Sequence, residues 1–231
     1  MLGDVALTPD AAAAAPTGIV VDVIRATSTI CQALASGYER VLCTVEVEDA
    51  RRLRDELEGV TLGGERLGVR IEGFDLGNSP SEVLEPRSAT LVMSTTNGTR
   101  AIVVAAGRCE RVLVGSLLNL DAVVAAALAH GEDVAVFCAG VKGAFALDDA
   151  YVAGRIVEEL GCERTDAAEA VVRLVSSYGG AEEALRQSRS GRNLIGRPEL
   201  EPDIALCARE SVLDVVPRFT GVHGVAAEIR A

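Results

Sequence analysis

The chain has 231 residues, of which 49% are hydrophobic, and a formal net charge of −12. This composition excludes an intrinsically disordered chain, and the negative charge makes nucleic acid or an anionic membrane a poor partner. No apolar run approaches the roughly 18 residues of a membrane-spanning helix. The first residues, MLGDVALTPD, lack the basic and apolar regions of a secretory signal, so we expect a cytoplasmic location.

Apolar segments typical of buried strands alternate with helical patterns along most of the chain. Strands are predicted over residues 18–24, 41–45, 90–94, 111–115 and 134–139. Helices are predicted over residues 28–36, 47–58, 99–106, 120–129 and 147–160. Because such alternation is typical of βαβ units, we expect a three-layer α/β/α fold with a largely parallel sheet.

The pattern changes after residue 165, where helices are predicted over residues 166–178, 181–189 and 203–210, followed by a late strand over 212–217. We therefore predict a helical C-terminal part. No linker of low complexity interrupts the chain. Residues 1–231 are expected to form a single α/β domain, with two lobes at about 1–164 and 165–231 as the alternative, and the sequence leaves a homo-oligomer open.

The cysteines and histidines do not predict a zinc site. None of the six cysteines belongs to a CxxC pair, and the chain has only two histidines. Most of the cysteines lie in apolar segments, which is typical of reduced core residues.

Residues 63–82, GGERLGVRIEGFDLGNSPSE, form a long connection with no clear helical or strand period. Its four carboxylates are Glu65, Glu72, Asp75 and Glu82. A compact domain rarely keeps so long an irregular connection unless the loop has a function. This stretch is therefore a candidate wall of a site.

Polar residues also collect where the predicted strands end. The clusters are Asp22 with residues 25–29, residues 64–66, residues 95–100, residues 115–116 with Asn119, and residues 138–143. Because the carboxyl ends of parallel strands lie along one edge of a sheet, we expect these clusters to form a single site. Several of them also open a helix, whose free N–H groups and positive end suit a phosphate.

Each cluster also has a purely structural interpretation. The alternatives are a helix cap at Thr27 and Ser28, a turn at Asn97 and Gly98, first-turn helix charges at Asp148 and Asp149, and surface positions for Arg66 and Arg100. The coincidence of all the clusters at strand ends favours a site over these alternatives.

The sequence lacks the motifs of several known classes of phosphate-binding and hydrolytic enzymes. The P-loop pattern GxxxxGK[ST] is absent. Ala144 stands where a thiol phosphatase would have arginine after Cys138, and Ile24 stands where a haloacid dehalogenase would have its second aspartate. The two histidines leave no evident base for Ser-His-Asp hydrolysis. The remaining carboxylates, arginines and helix N-termini suit a magnesium-dependent phosphate site.

Long segments of the chain point to one family. In chain order they are DVIRATST (22–29), GGER (63–66), EGFDLGNSPSE (72–82), TTNGTRA (95–101), GSLLN (115–119), CAGVKGAFALDD (138–149), SRSGRNL (188–194) and DVVP (214–217). Together they resemble the 2-phosphosulfolactate phosphatase family over roughly residues 4–217. The resemblance implies a magnesium-dependent hydrolysis of (2R)-2-phospho-3-sulfolactate, a small anionic substrate, to 3-sulfolactate and phosphate, as in coenzyme M biosynthesis.

The chain departs from the family pattern at two places. The family more often has Glu-Asp where this chain has Asp148 and Asp149, and the shorter first side chain makes Asp149 the preferred functional acid. The family often has histidine where Ser190 stands here, and Lys142 is a minor candidate at a variable position.

These observations give a set of predicted site residues. The predicted catalytic residues are Asp22, Arg25, Glu65, Arg66, Asn97, Arg100 and Asp149. The predicted substrate-binding residues are Thr27, Ser28, Thr96, Gly98, Thr99, Ser116, Asn119 and Gly140. Asp22, Glu65 and Asp149 are expected to hold Mg²⁺ directly or through water, while Arg25, Arg66 and Arg100 bind the anionic groups. Asp75, Asn78 and Ser79 are expected to hold the shape of the 63–82 loop.

In the predicted mechanism a metal-activated water attacks the phosphate, and a phosphoenzyme on Asp22 is the rival. Two other functions remain open. One is a phosphatase of another small 2-phospho acid, and the other is a non-catalytic binding protein for anionic metabolites.

Overall fold

A computed structural model describes residues 1–66 and 68–231. Over these residues the strands are β1 (Leu2–Ala6), β2 (Thr17–Val21), β3 (Arg40–Thr44), β4 (Val60–Arg66), β5 (Val69–Arg70), β6 (Thr90–Ser94), β7 (Arg111–Gly115), β8 (Val134–Cys138), β9 (Glu163–Arg164), β10 (Arg218–His223) and β11 (Ala226–Arg230). The α-helices are α1 (Ala26–Ser36), α2 (Val47–Glu56), α3 (Gly98–Ala106), α4 (Leu120–Leu128), α5 (Leu147–Leu160), α6 (Asp166–Val175), α7 (Ala181–Gln187), α8 (Arg189–Arg192) and α9 (Pro202–Cys207). No helix in these residues is both long enough and apolar enough to cross a membrane.

The strands form one mixed sheet in the order β5-β4-β6-β3-β11-β10-β7-β2-β8-β1-β9. Strands β4, β6 and β3 form one parallel run, and β7, β2, β8, β1 and β9 form another. The predicted α/β fold with a largely parallel sheet is therefore confirmed. The parallel pairing is not continuous, because three successive antiparallel pairings separate β3 from β7. The segments that follow strands of the two runs nevertheless meet, since a Cβ at Gly98, after β6, would lie 3.0 Å from Oδ2 of Asp22, after β2.

The prediction of a helical C-terminal part is wrong for its last residues. Helices α6 to α9 occupy residues 166–207, but the chain ends in the antiparallel hairpin of β10 and β11. This hairpin lies in the middle of the sheet, where β11 pairs with β3 and β10 pairs with β7. The late strand predicted over 212–217 is also wrong, because the backbone N–H groups of Val212 and Leu213 donate to the carbonyl of Leu118 instead of forming a ladder.

Helices pack against both faces of the sheet. In β2, Ile19 and Val21 belong to a core shared with α4 and α5, whereas Val20 belongs to a core shared with α1 and α3. This alternation follows from the two-residue period of a strand. Helix α2 covers a smaller core that contains Leu42 and Leu62.

The C-terminal helices share the core of α4 and α5. Val171 of α6, Leu185 of α7 and Ile204 of α9 are buried in the same cluster as Ile156 of α5. Residues 166–207 therefore pack on the same face of the sheet as α4 and α5.

The 63–82 stretch is more regular than its sequence predicts. Strand β4 continues through Arg66 and pairs with the short β5, while Leu67 lies outside the described residues. Further along, an Asp75 carboxylate oxygen accepts from the N–H of Leu62 at 2.8 Å, and a Glu82 carboxylate oxygen accepts from the N–H of Ser79. Asp75 thus holds the loop against β4.

Candidate active site

A cavity of about 370 Å³ opens where the two parallel runs meet the C-terminal helices. Its lining residues are Asp22, Ile24, Arg25, Glu65, Gly68, Asn78, Thr95, Thr96, Asn97, Val141, Lys142, Arg189, Ser190, Asn193, Leu194 and Arg197. They come from the segments after β2, β4, β6 and β8 and from the region around α8. The volume lies within the ~300–1,000 Å³ of typical small-molecule pockets.

The turn between β2 and α1 places Asp22 in this cavity. The N–H of Asp22 donates to Thr27 Oγ1 at 3.1 Å, and the N–H of Thr27 donates to the carbonyl of Asp22 at 2.9 Å. Ser28 Oγ donates to the carbonyl of Val23 at 2.8 Å. Thr27 and Ser28, which are predicted to bind substrate, are fully buried and use their hydroxyls to shape this turn.

The environment of Asp22 opposes its negative charge. Burial raises the pKa of Asp22 from 3.8 to about 7, and the charges of Asp148 and Glu65 add to the rise. Hydrogen bonds from the backbone of Ala26 and Gly98 act in the other direction. A buried carboxyl with acidic neighbours is stabilised in its ionised form by a cation. Asp22 therefore has the electrostatic character of a metal or substrate ligand.

The start of α3 comes close to this carboxyl. A Cβ at Gly98 would lie 3.0 Å from Asp22 Oδ2 and 2.9 Å from the Cβ of Ala26, so only glycine fits without a shift. Helices α1 and α3 thus both begin beside Asp22, and their N-terminal ends carry partial positive charge. This arrangement can hold a phosphate next to an acidic group.

The adjacent acids Asp148 and Asp149 play different structural roles. Asp149 accepts hydrogen bonds at both carboxylate oxygens, from the N–H of Val23 at 3.0 Å and from the N–H of Gly140 at 2.9 Å. It thereby ties the end of β2 to the end of β8. Burial raises the pKa of Asp149 well above its ordinary value, and the charges of Asp148 and Asp22 contribute.

Asp148 lacks such bonds at one oxygen. Within the described residues, Asp148 Oδ1 and Asn78 Oδ1 are the buried side-chain polar atoms without a hydrogen-bond partner. Burial raises the pKa of Asp148 to about 6, and the side chain of Ser190 opposes the rise. An unpaired buried acceptor beside Asp22 is what a ligand would satisfy. Asp148 therefore has an oxygen free to meet a ligand, whereas both oxygens of Asp149 are bonded, although neither acid is among the described residues that line the cavity.

These contacts predict opposite consequences for two matched substitutions. Asp149→Asn should lower the Tm by roughly 5 °C. The NH₂ group of the new side chain would face one of the two backbone N–H donors, Val23 or Gly140, which leaves that donor unpaired at a cost of about 1–3 kcal/mol in the free energy of unfolding. Asp148→Asn should leave the Tm within a few degrees but reduce kcat by about 100-fold or more. Thermal unfolding and phosphate release measure the two effects. An inactive Asp149→Asn variant with unchanged Tm would restore Asp149 as the functional acid.

Arg25 is held by an acid that the sequence does not single out. Arg25 donates to Asp203 Oδ2 of α9 at 2.7 Å, and both side chains are buried. The other oxygen of Asp203 accepts from Ser79 Oγ at 2.6 Å. Ser79, expected to hold the 63–82 loop, does so by joining that loop to α9. Arg25 thus lines the cavity in a fixed position.

Three further predicted residues also line the cavity, namely Glu65, Thr96 and Asn97. Glu65 accepts from the N–H of Gly68 through one carboxylate oxygen. Asn97 Oδ1 accepts from the N–H of Lys142 at 3.3 Å, which connects the start of α3 to the loop after β8.

The structure places other predicted residues outside the described cavity lining, in structural contacts. Arg66 donates to the carbonyls of Glu65, Ser94 and Val45, and Arg100 forms an exposed ion pair with Asp10 at 2.7 Å. The side chain of Thr99 is bonded to Thr95 and to the carbonyl of Thr44. Ser116 and Asn119 are bonded to each other, and the N–H of Gly140 donates to Asp149. Asn119 also donates to the carbonyl of Val215 at 3.1 Å, so the end of β7 anchors the C-terminal segment.

Sequence reasoning missed the cavity wall formed by Arg189, Ser190, Asn193 and Arg197. These residues follow no strand, so the strand-end argument does not select them. The signal that could have found three of them is the SRSGRNL segment (188–194), which contains Arg189, Ser190 and Asn193. Asn78, expected to shape the loop, also lines the cavity.

The donor set fits magnesium better than zinc. Among the described residues, no three His, Cys, Asp or Glu side chains are grouped closely enough to hold an ion alone, so Asp22, Glu65 and Asp149 do not form a closed triad. Mg²⁺ is often bound by one or two carboxylates together with substrate phosphate and water. Asp22 and the unpaired oxygen of Asp148 supply such a partial set.

A mostly parallel α/β sheet with buried carboxylates, helix N-termini and cations around one cavity is typical of enzymes that act on phosphate esters. A model of the family described as 2-phosphosulpholactate phosphatase matches residues 5–221. The chain therefore belongs to the 2-phosphosulfolactate phosphatase family, a family of hydrolases.

Individual relatives agree with this assignment. A probable 2-phosphosulfolactate phosphatase of Thermus thermophilus is 41% identical over 217 residues, which is 90% of each chain. One of Thermotoga maritima is 37% identical over 225 residues, which is 96% of each chain. One of Carboxydothermus hydrogenoformans is 36% identical over 203 residues, or 86% of this chain and 84% of the relative.

Proposed function

We propose that this chain hydrolyses (2R)-2-phospho-3-sulfolactate to 3-sulfolactate and phosphate with the help of Mg²⁺. One observation carries the proposal beyond family membership. The buried carboxyl of Asp22 lies between two helix N-termini and beside the unpaired Asp148 oxygen, in a cavity that Arg25 also lines. This combination supports binding of a phosphate ester together with a divalent cation.

The chain's own groups then have distinct tasks. The N-terminal ends of α1 and α3 and the guanidinium of Arg25 bind phosphate oxygens and stabilise the negative charge that they carry in the transition state. Asn97 keeps the loop after β8 in place through its bond to Lys142. Water attacks phosphorus and gives up a proton, and the ester P–O bond breaks. The leaving alkoxide takes up a proton in turn and becomes the 2-hydroxyl of 3-sulfolactate, while the water oxygen remains in the released phosphate.

Asp22 and Asp148 are the residues that would hold Mg²⁺. When bound, the ion neutralises the repulsion between their carboxylates and polarises the phosphoryl group. Glu65 lines the same cavity and contributes to the charge that the ion would offset.

Phosphate release from 2-phosphosulfolactate, measured with Mg²⁺ and after chelation with EDTA, tests this function. We expect release with Mg²⁺, loss of at least about 90% of the rate after chelation, and recovery when Mg²⁺ is added back. Equal release from phosphoglycolate and phospholactate would indicate a general 2-phospho acid phosphatase. Binding of 2-phosphosulfolactate without release of phosphate would contradict the enzyme and favour a binding protein.

The attacking group is also testable. We propose direct attack by water, and a phosphoaspartate on Asp22 is the alternative. Acid-quenched enzyme, digested and analysed by mass spectrometry during turnover, should contain no phosphorylated peptide with Asp22.

A further inference from the structure

In the part of the chain that the structure describes, two cations that line the cavity lack the carboxylate or carbonyl partners that hold most other basic side chains. Arg25 is paired with Asp203, but within the described residues no carboxylate or carbonyl accepts a hydrogen bond from the side chain of Lys142 or Arg189. Both side chains line the cavity and are exposed to solvent. In a chain with 34 acidic and 22 basic residues, acidic partners are plentiful. Two cations without such partners at one cavity therefore suggest an anionic ligand group.

The backbone holds Lys142 at the cavity although its side chain is exposed. Its φ of 54° lies in the left-handed region, which non-glycine residues rarely adopt. The turn is closed by two hydrogen bonds between Val141 and Ala144, at 2.9 and 3.1 Å, and Asn97 Oδ1 binds the N–H of Lys142. Arg189 reaches the same cavity from α8, on a separate part of the chain.

We propose that Arg189 and Lys142 form a second anion subsite, which binds the sulfonate of the substrate. This inference rests on the proposed function. The phosphate would already be met by the two helix N-termini, by Arg25 and by a cation held at Asp22. The carboxylate and the phosphate ester share carbon 2 of the substrate, whereas the sulfonate is on carbon 3. The sulfonate is therefore the group that extends to a separate set of cations.

The chemistry of the two side chains suits this role. A guanidinium donates two parallel N–H groups to two oxygens of one anion, and an ammonium adds a point charge. Because a sulfonate keeps its full charge at any physiological pH, a permanent cation is its natural partner. The subsite thus selects sulfonated 2-phospho acids over analogues without a second strong anion.

Two substrates that differ only in the sulfonate test the subsite. The kcat/KM values for 2-phosphosulfolactate and 2-phospholactate are compared in the wild-type protein and in Arg189→Gln, Lys142→Gln and Arg192→Gln. We expect Arg189→Gln and Lys142→Gln each to lower kcat/KM for 2-phosphosulfolactate by about 10-fold, mainly through KM. The value for 2-phospholactate should change less than about threefold, because it lacks the group that these cations bind.

Arg192→Gln is the matched control. Arg192 is an exposed arginine of the same short helix, but it donates to the carbonyl of Gln187 and is not part of the described cavity lining. Its removal should change neither substrate's kcat/KM by more than about threefold. Equal losses on both substrates in Arg189→Gln, or no loss on either, would overturn the subsite.

Calorimetric binding of 3-sulfolactate separates this inference from the proposed function. If the wild-type protein releases phosphate from neither substrate, the proposed function fails. The subsite still stands if Arg189→Gln weakens 3-sulfolactate binding about 10-fold while Arg192→Gln does not. Unchanged 3-sulfolactate binding in Arg189→Gln refutes it, whatever the turnover.

Discussion

Asparagine in place of Asp22 is expected to lower the rate of phosphate release from 2-phosphosulfolactate by about three orders of magnitude. The substitution keeps the shape of the side chain but removes the charge that would hold Mg²⁺ beside the phosphate, an effect of several kcal/mol in the transition state. Steady-state kinetics at saturating Mg²⁺ measure it. Asp55→Asn, at an exposed position of α2, is the control and should retain the wild-type rate.

The same variant should be more stable than the wild-type protein when metal is absent. Because burial raises the pKa of Asp22 from 3.8 to about 7, the folded state holds this proton more tightly than the unfolded state. The wild-type free energy of unfolding therefore falls as pH rises from about 4 to 7, and the loss is complete above that range. Asp22→Asn cannot ionise and avoids the loss.

Thermal unfolding in EDTA at a series of pH values checks this result. The Tm of Asp22→Asn should exceed that of the wild-type protein at pH 8, and the difference should shrink toward pH 4. A variant with a lower Tm at every pH would mean that its inactivity reflects damage to the fold.

Local patterns predict much of the fold because the central parallel strands are short and apolar, and β2, β6 and β8 are buried at every residue. Strands β6 and β7 have the predicted bounds, and α5 does too. Most other predicted elements differ by a few residues at their ends, but the strand predicted over 212–217 does not form and the helix predicted over 181–189 is divided into α7 and α8. Strands β10 and β11 escape prediction for a physical reason. The residues of β10 alternate between exposed and half-buried positions, so the strand carries a weak apolar signal and depends on pairing with β7 and β11.

The site is predictable where it depends on strand ends. Asp22 directly follows β2, Glu65 lies near the end of β4, and Asn97 directly precedes α3. All three line the cavity. Ser116 and Asn119 also follow a strand, but they are bonded to each other, and Asn119 holds the C-terminal segment through the carbonyl of Val215. A strand end can anchor the fold as readily as it can bind a ligand, and only tertiary contacts distinguish the two.

Residues contributed by distant helices are beyond the strand-end argument. Arg189 and Asp203 reach the site because α7, α8 and α9 pack against α5 and the 63–82 loop. The ion pair between Arg25 and Asp203 joins residues 178 positions apart in the chain. No helical or strand periodicity in the sequence can indicate a contact between residues so far apart in the chain.

Replacing Asp203 with asparagine is expected to lower both the Tm and the rate of phosphate release. The side chains of Arg25 and Asp203 are only 4% and 3% exposed, so Asp203→Asn leaves a buried guanidinium without a counter-charge. Removing one member of a buried pair costs about 3–5 kcal/mol, which corresponds to a Tm lowered by roughly 10 °C. Phosphate release should fall as well, because Arg25 is no longer held in the cavity. Thermal unfolding and kinetics on the same preparation measure both effects.

Arg25→Met, alone and combined with Asp203→Asn, separates stability from activity. Arg25→Met should cost less stability than Asp203→Asn, because a buried carboxyl can take up a proton whereas a guanidinium cannot lose one. In the double variant no charge is left unpaired, and asparagine still offers Ser79 an acceptor oxygen. Its Tm should therefore exceed that of Asp203→Asn, while its rate stays as low as that of Arg25→Met. Additive losses of Tm would show that the pair does not stabilise the fold, and a recovered rate would exclude Arg25 from the groups that bind the phosphate.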